Sequence, residues 1–233
     1  MKKFLLFCLI FVLLLSLFGC KKGLSMGGGS GDKVQYVKEY GTYVYKNEED
    51  CGKSSKEVND KEYLEFGSKL NVLKSKNVEG KEYLKVQLPD KSEYWANKEN
   101  LTEKFIVITQ NNVEAYDQPD DSYKTGIKLQ PGDYGLFVKE QDGWTNVEFY
   151  AYRPDKEDGE RKWVGNKWIK GGYTDDLNAA REAYRLYLAY YYKISKNDTD
   201  KAVKYLEEGL EINKGDKSEI YSALEDYAEE LEY

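Results

Sequence analysis

Asp142-Gly143-Trp144-Thr145-Asn146-Val147-Glu148-Phe149 sets the pattern for the middle of the chain. A polar turn leads into alternating residues, which place Val147 and Phe149 on one face of a strand and Trp144 on the other. The same order occurs earlier in Tyr83-Leu84-Lys85-Val86-Gln87-Leu88. There Leu84, Val86 and Leu88 share a face, Lys85 and Gln87 take the other, and Val147 and Phe149 match Val86 and Leu88. Working outward, Thr42–Tyr45 and Phe66–Leu73 precede the first stretch, and Asn112–Tyr116 and Pro131–Phe137 precede the second. Trp95–Leu101 follows one and Trp163–Ile169 the other, with equal aromatic-to-aliphatic spacing. That spacing makes Trp95 and Trp163 equivalent core residues. Gly67 and Gly132 suit a tight turn entering a strand, where a positive φ is needed. The chain therefore carries an internal repeat, each copy being several short strands with polar turns, the pattern of a small barrel.

The order Val-x-Tyr, a Gly-led strand, Gly143-Trp144-x-x-Val147, then Trp-Val and a closing aliphatic resembles the bacterial SH3-like (SH3b) domain. The resemblance covers roughly Tyr36–Thr102 and Phe105–Lys170, with Tyr83 standing in the first copy where the second has Trp144. Arg153–Arg161 lengthens one hairpin of the second copy beyond the family's usual size.

From Thr174 the period changes. Leu177, Ala180, Tyr184, Leu188 and Tyr191 mark one helical face after a Thr174-Asp175-Asp176 start. Asn197–Asp200 breaks that helix and caps a second, which packs Ala202, Val203, Leu206 and Leu210. Asp216-Lys217-Ser218-Glu219 is a capping-box pattern opening a third, with Ile220, Leu224, Tyr227 and Leu231 inward. Lys201–Asn213 resembles the second helix of a tetratricopeptide repeat. One such repeat is too few to bury a stacked core, so the helices are expected to pack on one another and on the second barrel. The fold class is mainly β with a C-terminal α segment: two small SH3-like barrels, a helical hairpin and one further helix.

The other end has a different character. Lys2 and Lys3 precede an apolar run, Phe4 to Phe18, broken only by Ser16, and Gly19 supplies a small residue. The run is shorter than the roughly 20 residues a membrane-crossing helix needs. Leu17-Phe18-Gly19-Cys20 closely resembles the lipobox of bacterial lipoproteins. The resemblance implies that the Cys20 thiol is acylated and becomes the mature N-terminus, held in a lipid bilayer by more than one chain. Lys21 follows, where an Asp would signal inner-membrane retention, so an outer membrane or cell surface is open to it. The expected layout is a signal peptide over 1–19, a lipidated, flexible Gly/Ser tether over 20–33, barrels over 34–103 and 104–172, and a helical tail over 173–233.

Composition narrows the function. Net charge is −7, and −9 once Lys2 and Lys3 leave with the signal, so phosphate backbones are repelled and no nucleic acid is expected. Mean hydropathy of −0.77 argues against further membrane spans. There is no histidine in the chain. The Cys–His pairs and His-ligated zinc of cell-wall peptidases and amidases cannot be built without one. Two-carboxylate hydrolysis is open in principle, but 42 acids produce chance pairs everywhere. Cys51 is left alone once Cys8 departs and Cys20 takes lipid, and its position reads as an exposed loop with acidic neighbours. The acidic stretches 117–121 and 155–160 lack EF-hand spacing and read as solvated turns, so no metal or cofactor is expected.

The candidate ligand-binding residues are Trp144, Tyr150 and Tyr152, an outward aromatic set on the second barrel. They either line a groove for a peptide or sugar ring, or cover the barrel's edge, and the burial habit of large aromatics favours the cover. The expectation for the whole is a non-catalytic envelope lipoprotein binding peptidoglycan, a peptide or a protein through its barrels. The alternative is a structural scaffold of an envelope complex, docking through the helical tail.

Overall fold

The computed structural model describes residues 33–39, 41–150, 164–215 and 218–232. The expectations for the signal, Cys20, the tether, Tyr152, Trp163 and the hairpin extension at 153–161 lie outside the described residues.

The first sheet has seven strands: β1 (Val34–Val37), β2 (Thr42–Tyr45), β3 (Lys61–Leu64), β4 (Lys69–Val78), β5 (Lys81–Gln87), β6 (Glu93–Asn97) and β7 (Leu101–Thr102). The second has β8 (Phe105–Ile108), β9 (Val113–Tyr116), β10 (Lys124–Leu129), β11 (Tyr134–Gln141), β12 (Trp144–Tyr150), β13 (Gly165–Ile169) and β14 (Tyr173–Thr174). Their spatial orders, β3-β2-β6-β5-β4-β1-β7 and β10-β9-β13-β12-β11-β8-β14, correspond strand for strand. The repeat is thus a duplication of topology, and β14 carries the second sheet past the expected boundary at 172.

Register refines the match. Val72 pairs with Val86, and Phe137 with Val147, as the alternation predicts. A bulge follows each pair, before Lys74 and before Lys139, leaving Leu73 and Val138 half in water at 44% and 46% exposure. The tryptophans need a correction. Trp95 pairs with Tyr45 on β2, and Trp168 pairs with Tyr116 on β9, so the counterpart of Trp95 is Trp168 and not Trp163. Equal spacing to an aliphatic residue misled because a strand's register is set by its hydrogen-bonded neighbour, which the local sequence does not contain.

Each sheet curls on itself. In the second, Leu129 from one end of the strand order and Ile106 and Ile108 from near the other enclose Val147, Phe149 and Ile169 in a single core. In the first, Leu64 meets Val37 and Leu101 around Leu70, Leu84, Val86 and Ala96. Inward faces of β strands at both ends can share one core only if the sheet closes into a barrel.

Three helices follow: α1 (Leu177–Tyr190), α2 (Thr199–Leu210) and α3 (Glu219–Glu232), with a π-helical turn at Tyr191–Ser195. Caps stand where short polar residues allow them. Asp176 Oδ1 accepts from Ala179 N at 2.9 Å, Asp198 Oδ1 from Lys201 N at 3.1 Å, and Ser218 Oγ from Tyr221 N at 3.1 Å. Among the described residues no helix is long and apolar enough to cross a membrane.

Helix α1 buries two faces. One carries Ala180, Ala183 and Tyr184 against Phe105, Val107, Tyr134 and Leu136 of the second barrel. The other carries Leu186 and Ala189 against Ala202 and Leu206 of α2 and Leu224 of α3. The helices also dock on the first barrel, which the sequence did not suggest: Phe66 stacks on Tyr184 with ring centroids 3.9 Å apart and planes within 6°. The turn glycines explain how α1 lies so close. Gly67 (φ +72°) and Gly132 (φ +86°) occupy equivalent turns, and a Cβ on either would meet α1, at 3.1 Å from Leu177 Cδ1 and 2.9 Å from Leu186 Cδ2. A single helix therefore rests on the same turn of both barrels.

Candidate functional site

The register that pairs Trp95 with Tyr45 and Trp168 with Tyr116 creates one aromatic trio on the outer face of each barrel. The first copy gathers Tyr45, Tyr83 and Trp95, and the second Tyr116, Trp144 and Trp168. Each trio draws one ring from the second, fifth and sixth strand of its sheet. In the second copy the Tyr116 and Trp144 rings meet edge to face, with centroids 4.8 Å apart.

The two trios are covered by different means. Loop 46–60 of the first barrel is twice as long as its counterpart 117–123. It folds back to place Cys51 (7% exposed) and Val58 (3%) on the rings, fastened by Tyr45 Oη donating to Lys53 O at 2.8 Å. Cys51 is therefore buried, not exposed as its acidic surroundings suggested, and burial pushes its thiol above the ordinary cysteine value. Glu48 of the same loop holds Lys76 at 2.7 Å and Lys74 at 3.5 Å, and the Lys76 hydrogen bond keeps the Glu48 carboxyl below the usual range.

In the second barrel the short loop carries no such plug, and among the described residues lysines alone cover the rings. Lys139 Nζ stands 5.2 Å from the Trp168 centroid, as Lys74 stands 5.0 Å from Trp95 in the first copy. Lys170 Nζ stands 4.4 Å from the Trp144 centroid, at the position of Asn97 in the first copy. The short loop supplies the counter-charges: Asp121 takes Lys170 at 2.6 Å and Asp117 takes Lys167 at 3.1 Å. Beside Trp144 lies a depression of about 380 Å³ bounded by the β11–β12 turn, Thr145 and Tyr173. Asp142 stands exposed at its rim, while Glu140 is engaged by Lys104 at 2.7 Å.

The sequence candidates separate. Trp144 is 5% exposed and belongs to the trio. Tyr150 projects from the same face of β12, but six residues along a strand is about 20 Å. It packs in the central cluster, stacked on Tyr134 at 5.6 Å, where burial pushes its phenol up to about 12. The two do not meet in one groove among the described residues. The partners Trp144 does have, Tyr116 and Trp168, were passed over in the sequence. Their shared one-face alternation with Trp144 becomes visible only once β9 and β13 are known to be neighbours. No group of three or more His, Cys, Asp or Glu positioned for a metal ion occurs among the described residues.

No protein-family model matches this sequence, and no curated protein matches it. Among solved structures the chain is similar to NlpC2 from Trichomonas vaginalis, at 11% identity and a TM-score of 0.24. The match covers 68% of this chain and 55% of that one, so the chain spans little more than half the length of that structure.

Proposed function

We propose that this is a lipid-anchored protein of the bacterial cell envelope, tethered through acylated Cys20, whose second SH3-like barrel binds an amine-bearing partner without catalysing its conversion. The partner chemistry is that of a peptidoglycan peptide or a basic segment of an envelope protein. One observation carries the reading: a loop plug seals the first trio beside Lys74, whereas the second has no plug and its Trp144 is capped by the added Lys170 ammonium. A plug that packs apolar side chains is part of the core. An ammonium over an indole is worth only about 0.5–1 kcal/mol at an exposed site, so a ligand amine can exchange with it at little cost. Asp121 and Asp142 stand where the incoming cation would need counter-charge. The alternative of a scaffold docking through the helical tail finds less support, since Ile194 is the one large apolar side chain the described helical segment exposes.

The test uses full-length protein in detergent, co-sedimented with purified peptidoglycan and with peptidoglycan whose amines have been acetylated. The expected result is binding to the first and loss with the second. Lys170→Gln removes the internal competitor and should tighten binding by roughly 2–5-fold. Equal sedimentation with both preparations, together with no effect of Lys170→Gln, overturns the amine-binding reading. For the anchor, Cys20→Ser should abolish partition into the detergent phase, and unchanged partition would sink that assignment.

A further inference from the structure

A second site lies where no motif points. The β3–β4 turn of the first barrel, α1 and α2 enclose a cleft of about 790 Å³. That is within the range of small-ligand pockets, roughly 300–1,000 Å³. Its base is the Phe66–Tyr184 stack, a rigid contact between barrel and helix.

The charges around the cleft are only partly paired with one another. Arg185 Nε pairs with Glu208 Oε2 at 3.1 Å, and Lys204 Nζ reaches Glu208 Oε1 at 3.8 Å, so one carboxylate serves two cations. Arg181, one turn before Arg185 on α1, has no carboxylate at all: its guanidinium donates to the Gly67 carbonyl at a long 3.4 Å. Glu211 also lines the cleft but is held by Lys214 at 2.8 Å, so Arg181 is left with a guanidinium able to take a planar carboxylate through two parallel N–H bonds. Glu65 of the barrel turn and Glu207 of α2 also line the cleft, and among the described residues neither forms an ion pair. Both are exposed at the mouth.

We infer that this cleft binds a dipolar ligand, a short peptide or free amino acid, by its carboxylate on Arg181 and Lys204 and its ammonium on Glu65 and Glu207. A simple anion would leave the acids opposed to nothing, and a simple cation would leave Arg181 so. A zwitterion answers both. The inference does not depend on the second barrel's function, because the residues concerned are on the first barrel and the helices.

The experiment is calorimetric titration of the full-length protein with trialanine, its C-terminal amide, its N-acetyl form and free alanine. Trialanine should bind, and amidation or acetylation should each weaken it by roughly tenfold or more, the weight of a hydrogen-bonded charge. Whether alanine binds as well as trialanine separates an amino-acid site from a peptide site. Arg181→Gln should erase the difference between acid and amide, and Glu207→Gln the difference between free and acetylated amine. Glu207 is an exposed α2 residue, so its variant remains informative if loss of Arg181 disturbs helix docking. Equal binding of the blocked and free peptides, absence of saturable binding, or full discrimination retained in Glu207→Gln would each overturn the proposal.

Discussion

Replacing Phe66 by alanine is the sharpest probe of how the chain is assembled. Phe66 belongs to the first barrel, yet its ring lies 3.9 Å from Tyr184 of α1 and 4.5 Å from Phe105 of the second barrel, and only 6% of the residue is exposed. Removing a buried Phe side chain costs about 3–5 kcal/mol when the surroundings cannot collapse into the space. Here they are held, because α1 rests on the Gly67 and Gly132 turns and cannot move inward without closing on backbone. For a unit of about 200 residues each kcal/mol lowers the melting temperature by roughly 2–4 °C. The expected fall is thus about 6–20 °C, seen by calorimetry as one cooperative transition. Tyr184→Ala in the same background should be less than additive by about 0.5–1.5 kcal/mol, the worth of an aromatic pair. Tyr63→Ala on neighbouring β3 is the control, since its side chain is 61% exposed and should change little, within about 0.5 kcal/mol. If Phe66→Ala cost under about 1 kcal/mol, or if the unmutated protein already showed a separate early transition of the first barrel, the claim that this residue locks both barrels to α1 would be refuted.

Other outcomes follow from single contacts. Gly132→Ala and Gly126→Ala share a positive φ, so each should cost about 1–2 kcal/mol of backbone strain. Only the first also meets Leu186, and denaturant midpoints should show Gly132→Ala as the worse, with Leu186→Ala partly relieving it. Native Cys51, buried with its thiol pushed up by desolvation, should react with a thiol reagent at neutral pH only as fast as loop 46–60 opens, whereas unfolded protein should react at once. Tyr150 has its phenol raised from the ordinary 10 to about 12 by burial, with Glu148 adding to the shift. A neutral form favoured in the folded state contributes stability that is complete below about pH 10 and is lost as pH rises toward about 12. Tyr150→Phe should therefore flatten the alkaline arm of the stability curve, and an unchanged arm would show that Tyr150 does not titrate late.

Much of this fold is local, and local features are what a sequence displays. Alternation at Leu84–Val86 and Val147–Phe149 identified inward faces that both barrel cores use. Short polar residues at Asp176 and Asp198 marked helix starts, because a cap satisfies backbone within three residues of itself, whereas the third helix is capped by Ser218, two residues past the start that the capping-box pattern implied. The Gly67 and Gly132 turns were legible for the same reason, as positions where only a missing Cβ allows the required φ.

What the sequence could not decide was always a question of partners. Periodicity says that Trp144 and Tyr150 face away from the barrel core, but the first joins a trio with Trp168 and the second a cluster with Tyr134. The difference lies in neighbours brought in from distant strands. Tyr187 and Tyr190 stand about one turn apart on α1, and the first packs in the barrel-side cluster and the second on Tyr227 of α3, a choice made by what surrounds the helix. Cys51 looked exposed because its loop is acidic, and only the fold-back of that loop over Tyr45, Tyr83 and Trp95 buries it. The cleft between Glu65, Arg181 and Glu207 exists because a barrel turn and two helices meet there. Hydrophobic pattern fixes which side chains leave water. Which surfaces they leave it against is set by non-local register and packing, and both candidate sites of this protein are made at that level.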